Sequence, residues 1–290
     1  MRFLLPLFIF ALACQKTQPQ TDLPKEIQYE GTPESITVTG GTITEASGIT
    51  YSNSMKGKFW VNEDSGNPPY LYLLGSDGAI TDSLFVDGAA NRDWEEVVLA
   101  QGPDANKSYL YVGDIGDNEA KYPGYTIYRF EEPGAGVKVV AQFDQIRFTY
   151  EDGGRDAEAF IVEQGTKDIY IISKREAKSR VYKLAYPQSV SANNIAEFVL
   201  ELPYNNVVSA AASSDDMEVI IKTYTHVYHY QKQKGDLILP MLKAAAPTML
   251  GYQLEPQGEA LTFAHDGTGF YTLSEEAMGI VPKLYYYKKK

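Results

Sequence analysis

Cysteine is almost absent from this sequence, since Cys14 is the only one among 290 residues. A single cysteine excludes an intramolecular disulfide, so the fold must be stabilised by its core and its hydrogen bonds. Basic residues are also scarce: 26 Lys and Arg face 38 Asp and Glu, and the net charge is −12. This charge argues against nucleic acid and anionic membrane surfaces as partners and favours cations and neutral or cationic ligands.

A hydrophobic run long enough to span a bilayer is missing at the N-terminus, MRFLLPLFIFALAC, where the apolar run covers only residues 3–12. With Arg2 before the run and Ala13 before Cys14, this segment resembles a bacterial lipoprotein signal. The resemblance implies a signal peptide over residues 1–13, lipidation of Cys14 and a polar tether over 14–25. It places the protein in the bacterial cell envelope, on the outer-membrane or periplasmic side, touching the membrane through its lipid only. Ordinary secretion and an uncleaved anchor are the alternatives.

Several chemical motifs are absent too. The sequence has no HExxH, no GxSxG, no phosphate-binding GxxxxGK[ST] and no EF-hand loop, and we expect no organic cofactor. The three histidines, His226, His229 and His265, share no metal-ligand spacing. We expect all three at the surface or in turns.

What the sequence does contain is a series of short strands. From residue 34 onward, runs such as GKFWVNE, YLYLLG and SYLYVGD are rich in Tyr, Val and Ile, and turn residues separate them. Helical periodicity is almost absent. The pattern predicts one all-β domain over residues 26–290.

The strands follow a repeat. Five segments open in the same way: EASGITYS (45–52), DWEEVVLA (93–100), DAEAFIVE (156–163), VVSAAASS (207–214) and QGEALTFA (257–264). Their third residues stand at intervals of 48, 63, 51 and 50 residues, and each opening segment is followed by further apolar strands. Units of this length are typical of β-propeller blades. Five blades are expected, with ESITVTGG (34–41) as the outer strand of the last blade. Six blades are the alternative, because the 63-residue unit is long enough for an extra strand pair.

The first strand of each propeller blade lines the central channel, so the opening segments should meet at one rim. We expect Glu95, Glu158 and Glu259 there in a ring with Ser47 and Ser209, and we expect Glu96 to point to the other face of its strand. The second strands return to the same rim. The predicted binding rim comprises Asp64, Asp93, Glu95, Asp114, Asp156, Glu158, Lys174, Tyr224, Glu259 and Glu275.

Such a concentration of carboxylates can be stabilised in three ways. Bases can pair with the acids; the candidates are Arg92, Arg155, Lys174 and Arg175. A hard cation such as Ca²⁺ can bind, because it prefers oxygen ligands. Some acids can instead stay protonated, which is the state that a general acid needs. The predicted metal ligands are Glu95, Asp114, Asp117, Glu158 and Glu259.

The motifs along the chain carry a family resemblance. In order, NEDSGNPP (62–69), NRDWEEV (91–97), YVGDIGDN (111–118), RDAEAF (155–160), SKRE (173–176), KTY (222–224) and QGEAL (257–261) resemble a family of uncharacterised bacterial extracytoplasmic propellers. More distantly, the acidic rim is similar to that of calcium-dependent β-propeller phytases and esterase-like phytases. That likeness implies a metal-dependent hydrolase, although this rim has few Lys and Arg to hold phosphates.

Two functions follow as hypotheses. The first is a monomeric binding or scaffold propeller that binds a ligand or a protein over the acidic rim, with Ca²⁺ as a candidate ion. The second is a metal-dependent phosphoester or ester hydrolase. In the second, Glu95, Asp114, Glu158 and Glu259 would hold the metal, and Lys174 or Arg175 would stabilise the developing anion.

Overall fold

The computed structural model describes residues 27–41, 43–233, 235–244 and 246–290. The predicted signal peptide, Cys14 and the tether lie outside these residues, so the lipid anchor stays a prediction. In the part of the chain that is described, no helix has the length and the apolar character to cross a membrane.

Twenty-one strands and one short helix, α1 (Ile238–Ala244), make up the described part. The strands in chain order are β1 (Glu34–Thr37), β2 (Ala46–Tyr51), β3 (Lys58–Glu63), β4 (Tyr70–Gly75), β5 (Ile80–Val86), β6 (Trp94–Gln101), β7 (Ser108–Asp114), β8 (Tyr125–Glu131), β9 (Val139–Val140), β10 (Asp144–Tyr150), β11 (Ala157–Val162), β12 (Ile169–Ser173), β13 (Arg180–Leu184), β14 (Asn194–Glu201), β15 (Val207–Ala212), β16 (Glu218–Thr223), β17 (Val227–Gln231), β18 (Thr248–Leu250), β19 (Gly258–Phe263), β20 (Gly269–Ser274) and β21 (Lys283–Lys288).

The strands form four-stranded units around a central channel. The units are β2-β3-β4-β5, β6-β7-β8-β10, β11-β12-β13-β14, β15-β16-β17-β18 and β19-β20-β21-β1. Their first strands β2, β6, β11, β15 and β19 each contact the next one, and β19 returns to contact β2. A closed ring of inner strands with meandering sheets outside it is a β-propeller, which confirms the predicted fold.

The long second unit owes its length to strands at the outer edge. Its segment β9 leaves the unit and pairs in parallel with the end of β5 in the preceding one, and β10 pairs in parallel with β14 of the following one. No described residue between 118 and 155 belongs to an inner strand. The additional residues therefore link neighbouring sheets.

Tight packing fills the space between neighbouring sheets. Both tryptophans are buried: Trp94 is fully buried and donates its indole N–H to the carbonyl of Ala90 at 2.9 Å. Trp60 donates its indole N–H to Glu132 Oε1 at 3.1 Å. Burying two large indoles whose N–H groups are satisfied stabilises the packing without leaving a polar group unpaired.

The N-terminal strand closes the ring. β1 pairs antiparallel with β21, from Glu34 opposite Tyr286 to Thr37 opposite Lys283, which confirms the expected outer strand of the last blade. Pairing of the first strand with the last leaves no open seam in that sheet.

A buried carboxylate, Glu218 in β16, links the β1–β21 strand pair to the preceding blade. Glu218 accepts hydrogen bonds from Tyr29 Oη at 2.5 Å, from Lys289 Nζ at 2.5 Å and from His229 Nε2 at 3.0 Å. His229 was expected at the surface, and that expectation is wrong, because its ring is buried against Glu218. Burial alone would raise the pKa of Glu218, but the three donors outweigh it and lower the pKa to about 2.

We expect Glu218→Gln to lower the free energy of unfolding by about 1–3 kcal/mol, since it weakens charge-assisted hydrogen bonds to Tyr29 and Lys289 beside the closing strand pair. The contribution of Glu218 is complete above the unfolded pKa of 4.5 and is lost as pH falls toward 2. Urea unfolding across acidic pH should show the two proteins converging in that window. The exposed Glu34→Gln in β1 is the matched control. A constant difference between parent and variant at every pH would contradict this role.

Candidate functional site

Each inner strand carries one extra residue near its start. The pairing of the inner strand with the second strand skips Ser47, Glu95, Glu158, Val208 and Glu259 in the five units. Such a β-bulge leaves the extra residue unpaired and redirects its side chain. We call these five positions the bulge ring; it surrounds the mouth of the channel.

The bulge ring differs from the predicted ring at one place. Val208, not Ser209, occupies the bulge in the fourth unit, so the predicted position of Ser209 was one residue out of phase. Ser209 lies one step deeper, where its hydroxyl donates to Glu96 Oε2 at 2.6 Å.

Glu96 was expected on the opposite face of its strand, and this expectation is wrong. It is 1% exposed and spans the channel to the backbone N–H of Ala210 as well as to Ser209. The bulge at Glu95 explains this, because the extra residue breaks the alternation that would otherwise send neighbours to opposite faces. Burial raises the pKa of Glu96 well above its usual range, although these hydrogen bonds oppose the rise.

Two overlapping carboxylate triads lie at the bulge ring. The first triad is Asp64, Asp93 and Glu95, and the second is Glu95, Asp156 and Glu158. Within each triad, one oxygen from each residue lies within 4.8 Å of the others. Glu95 belongs to both triads, so the five acids form one continuous cluster.

Several buried oxygens in this cluster have no partner among the described residues. Glu158 Oε1 accepts from Lys174 Nζ, but its Oε2 has no hydrogen bond and is buried. The Ser47 hydroxyl is likewise buried without a partner. The Glu95 carboxylate, 5% exposed, receives no hydrogen bond from the described chain. Buried oxygens without donors are costly, and here they converge on one place.

Burial and mutual repulsion favour protons on these acids. Burial and the neighbouring Asp64 raise the pKa of Asp93 to about 7. Burial, followed by the charges of Glu158, Asp64, Asp93 and Glu259, raises the pKa of Glu95 well above its usual range. Without a cation, burial and repulsion therefore favour the protonated forms of Asp93 and Glu95.

Lys174 and Tyr224 connect the second triad to Glu259. Lys174 Nζ contacts Glu158, donates to Tyr224 Oη at 2.8 Å and lies 3.9 Å from Glu259 Oε1, while Tyr224 donates to Glu259. Burial opposes the charge of Lys174, but the two glutamates outweigh it and raise its pKa. Burial and Glu259 also raise the pKa of Glu275 to about 9. The structure therefore brings four predicted rim residues together beside the triads: Lys174, Tyr224, Glu259 and Glu275.

Two predicted metal ligands, Asp114 and Asp117, accept hydrogen bonds within their own blade and do not join the triads. Asp114 Oδ1 accepts the backbone N–H of Asp93 at 2.8 Å. Asp117 accepts the N–H of Lys121 at 2.9 Å, the N–H of Tyr122 at 2.8 Å and the Tyr125 hydroxyl at 2.8 Å. These donors lower the pKa of Asp117 although burial opposes them. Both residues position the loop behind the first triad, and Asp64, Asp93 and Asp156 join Glu95 and Glu158 in the cluster.

The bases are too few to neutralise the rim. Arg175 contacts Asp156 and Asn118, but Arg155 turns away to Asp152 at 2.8 Å and to Glu176 at 3.4 Å. Lys174 and Arg175 thus face seven carboxyl groups, namely Asp64, Asp93, Glu95, Asp156, Glu158, Glu259 and Glu275.

Sequence reasoning missed a buried pair that supports the rim from below. Lys222 is fully buried, donates to the carbonyl of Gly258 and lies 4.0 Å from Glu255 Oε2. Burial lowers the pKa of Lys222. The lysine holds the start of β19 and thereby Glu259. Nothing in the KTY motif distinguishes it from an exposed lysine.

The rim is a blind funnel. Below the bulge ring the channel holds a cavity of only about 20 Å³, lined mainly by Ile49, Val97, Ile161, Ala210 and Leu261. This space admits about one water molecule, so a ligand on the rim cannot pass to the other face.

Comparisons with known proteins found similar solved structures but no family. No protein-family model and no curated protein matches this chain. Among solved structures, it is similar to the RRP9 WD40 repeats, with a TM-score of 0.42, 12% identity and coverage of 84% of this chain and 67% of that one. It is also similar to the PQQ domain of pyranose dehydrogenase from Coprinopsis cinerea, with a TM-score of 0.45, 14% identity and coverage of 92% and 98%. The propeller assignment rests on the chain's own sheet order, and the family resemblance of its motifs stays a prediction.

We expect Asp93→Asn to stabilise the protein increasingly as pH rises from about 4 to about 7 in the presence of a chelator. The folded pKa of Asp93 is raised from 3.8 to about 7. The folded state therefore binds the extra proton, and the parent loses stability as pH rises through that window. At ~1.4 kcal/mol per pKa unit this shift corresponds to about 4 kcal/mol, and solvent screening at the open rim reduces the expected gain to on the order of 1–3 kcal/mol. Urea unfolding measures it, and the exposed Asp87→Asn should show no such slope. A variant that is less stable than the parent at neutral pH would show that Asp93 is held by attractive contacts.

Proposed function

We propose that this protein is a lipid-anchored extracytoplasmic binding propeller whose acidic rim holds Ca²⁺ and presents it to a ligand or a protein. The observation that carries the calcium site is the pair of triads sharing Glu95, with the unpartnered Glu158 Oε2 buried beside them. The anchor rests on the sequence around Cys14 alone.

The donor set fits a hard cation. Ca²⁺ takes six to eight oxygen ligands, and carboxylates are its preferred protein donors. The two triads offer the carboxylates of five acids, and the Ser47 hydroxyl lies unpaired in the same ring. A cation there would satisfy buried oxygens that otherwise lack donors and would replace the protons that burial and repulsion keep on Asp93 and Glu95.

A ligand would complete the site from the open side. The funnel is closed below, so any partner approaches from solvent above the bulge ring. A bound Ca²⁺ would supply a positive centre inside a negative rim, and oxygen atoms of a ligand could take the coordination positions that the protein leaves open. The surrounding charge favours a neutral or cationic partner with oxygen donors.

We expect added Ca²⁺ to raise the melting temperature of the parent, because an ion that binds only the folded state stabilises it by about 2.7 kcal/mol at a hundredfold excess over its Kd. EDTA should reverse the shift. Glu95→Gln should abolish it, and this variant should be more stable than the parent in EDTA, since Glu95 has repulsive neighbours and no donors. Glu276→Gln, an exposed neighbour of the rim, is the control.

Proton release distinguishes binding at this site from weak surface binding. Calorimetric titration with Ca²⁺ in two buffers of different ionisation enthalpy should show protons released at neutral pH by the parent and fewer by Asp93→Asn. The proposal fails if Ca²⁺ changes neither the melting temperature nor the heat of titration.

One observation favours the hydrolase as a second candidate. Glu95 belongs to both triads, so the two triads could hold two neighbouring cations, and paired cations would stabilise the attacking and the leaving oxygen of a phosphoester. Arg175 lies half-exposed beside Asp156, where it could stabilise the developing anion. Lys174, the other candidate for that role, is already neutralised by Glu158 and Glu259.

A metal-dependent hydrolase should cleave p-nitrophenyl phosphate or p-nitrophenyl acetate only when a divalent cation is supplied. We then expect Glu95→Gln to lower kcat by at least about a hundredfold and Arg175→Gln by about tenfold. Lys178→Gln, a change of another base in the same loop, should leave the rate intact. Tight Ca²⁺ binding with no turnover of either ester would leave the binding function alone standing.

A further inference from the structure

Two cavities open on the face opposite the acidic rim, and they meet at one residue. The larger cavity, about 320 Å³, lies between the first and the last blade, and the smaller, about 280 Å³, lies at the lower mouth of the channel. Tyr51, at the far end of β2 from the bulge ring, lines both.

Tyr51 offers a hydrogen-bond donor that the described chain does not use. Its side chain is only 7% exposed, and its hydroxyl makes no hydrogen bond to any described residue. The ring is held by an edge contact with His265, whose centroid lies 5.2 Å away. Burial, with Glu132 and Asp215 nearby, raises the pKa of Tyr51 to about 12, so the hydroxyl keeps its proton at neutral pH.

The larger cavity combines aromatic rings with unpaired lysines. Phe59 and Tyr271 form one wall, with ring centroids 4.8 Å apart. Lys56 and Lys58 line the same cavity, and neither makes an ion pair with a described acid. The acid in the lining, Asp266, already accepts two hydrogen bonds from Thr268, at 3.1 Å and 2.6 Å. The lining of this cavity therefore holds two lysines and one acid, in a chain whose net charge is −12.

The smaller cavity is lined by amides. The side chains of Gln101 and Gln164 make no hydrogen bond to the described residues, whereas Asn53 is paired with Ser108 at 2.7 Å. A free carboxamide both donates and accepts, so two of them suit a ligand rich in hydroxyl groups.

We propose that this face binds a short acidic saccharide. A sugar ring would pack on Tyr271, which the buried Phe59 supports from behind, its hydroxyls would bond to Tyr51 and to the two glutamines, and its carboxylate would lie against Lys56 and Lys58. Sites for small ligands commonly pair an apolar or aromatic wall with a few polar groups that fix orientation. The apolar plug in the channel separates this site from the rim, so it does not depend on the proposed calcium site.

Calorimetric titration of the full chain with trigalacturonate, its fully methyl-esterified form and a hyaluronan tetrasaccharide tests the proposal. At least one acidic saccharide should bind, and esterification should weaken trigalacturonate by about tenfold or more if that is the one bound. We expect about tenfold losses from Tyr271→Ala and from the combined Lys56→Gln and Lys58→Gln, and a smaller loss from Tyr51→Phe, which removes only the hydroxyl.

The controls are Lys243→Gln, which removes a distant exposed lysine, and Glu95→Gln, which alters only the rim. Both should bind the saccharide as the parent does, whether or not Ca²⁺ binds. The proposal is overturned if neither acidic saccharide binds at about 5 mM, or if the Tyr271 and lysine variants bind like the parent.

Discussion

The repeated β-bulge at the start of each inner strand is the constraint on which the rim depends. One extra residue per strand places Ser47, Glu95, Glu158 and Glu259 at the channel mouth while the backbone ladder continues on either side. The inner strands approach so closely here that a Cβ at Gly48 would lie 2.6 Å from the backbone nitrogen of Val97. The ring therefore concentrates carboxylates in a space that the backbone itself keeps narrow.

Acids crowded in this way need a scaffold that does not relax, and the surrounding hydrogen bonds supply it. Asp114 fixes the backbone at Asp93, and Asn91 accepts the N–H of Trp94 at 2.9 Å. On the other side Lys222 fixes Gly258. Each contact holds the start of an inner strand. These contacts outside the triads therefore keep the acids close together despite their mutual repulsion. Functional sites commonly keep an unfavourable arrangement in this way.

The sequence was sufficient for the fold and for the approximate rim. Period-2 runs and a repeat near 50 residues identify the inner strands, and the unpaired N-terminal strand has one vacant sheet edge to occupy.

The sequence did not show the exact position that each residue takes within its strand. A bulge has no signature in VVSA or WEEV, so Ser209 was placed one residue too high and Glu96 on the wrong face. Asp117 lies in a Gly-Asp motif that suits a tight turn and a cation equally well. Only the positions of the surrounding N–H groups show that the turn takes its carboxylate.

The blind channel explains how one small domain can hold opposite charge preferences on its two faces. The rim gathers seven acids against two bases, and the far face has Lys56 and Lys58 without acidic partners. Packed apolar side chains between the faces leave almost no room for water or ions.

The distance between the two faces limits how strongly their charges interact. Through a low-dielectric layer the two sets of charges would interact strongly if they were close, but the length of an inner strand separates them. Each strand of six to eight residues spans roughly 20 Å or more, about twice the screening length of physiological salt. The charge of one face therefore leaves the solvent-exposed groups of the other face largely unaffected.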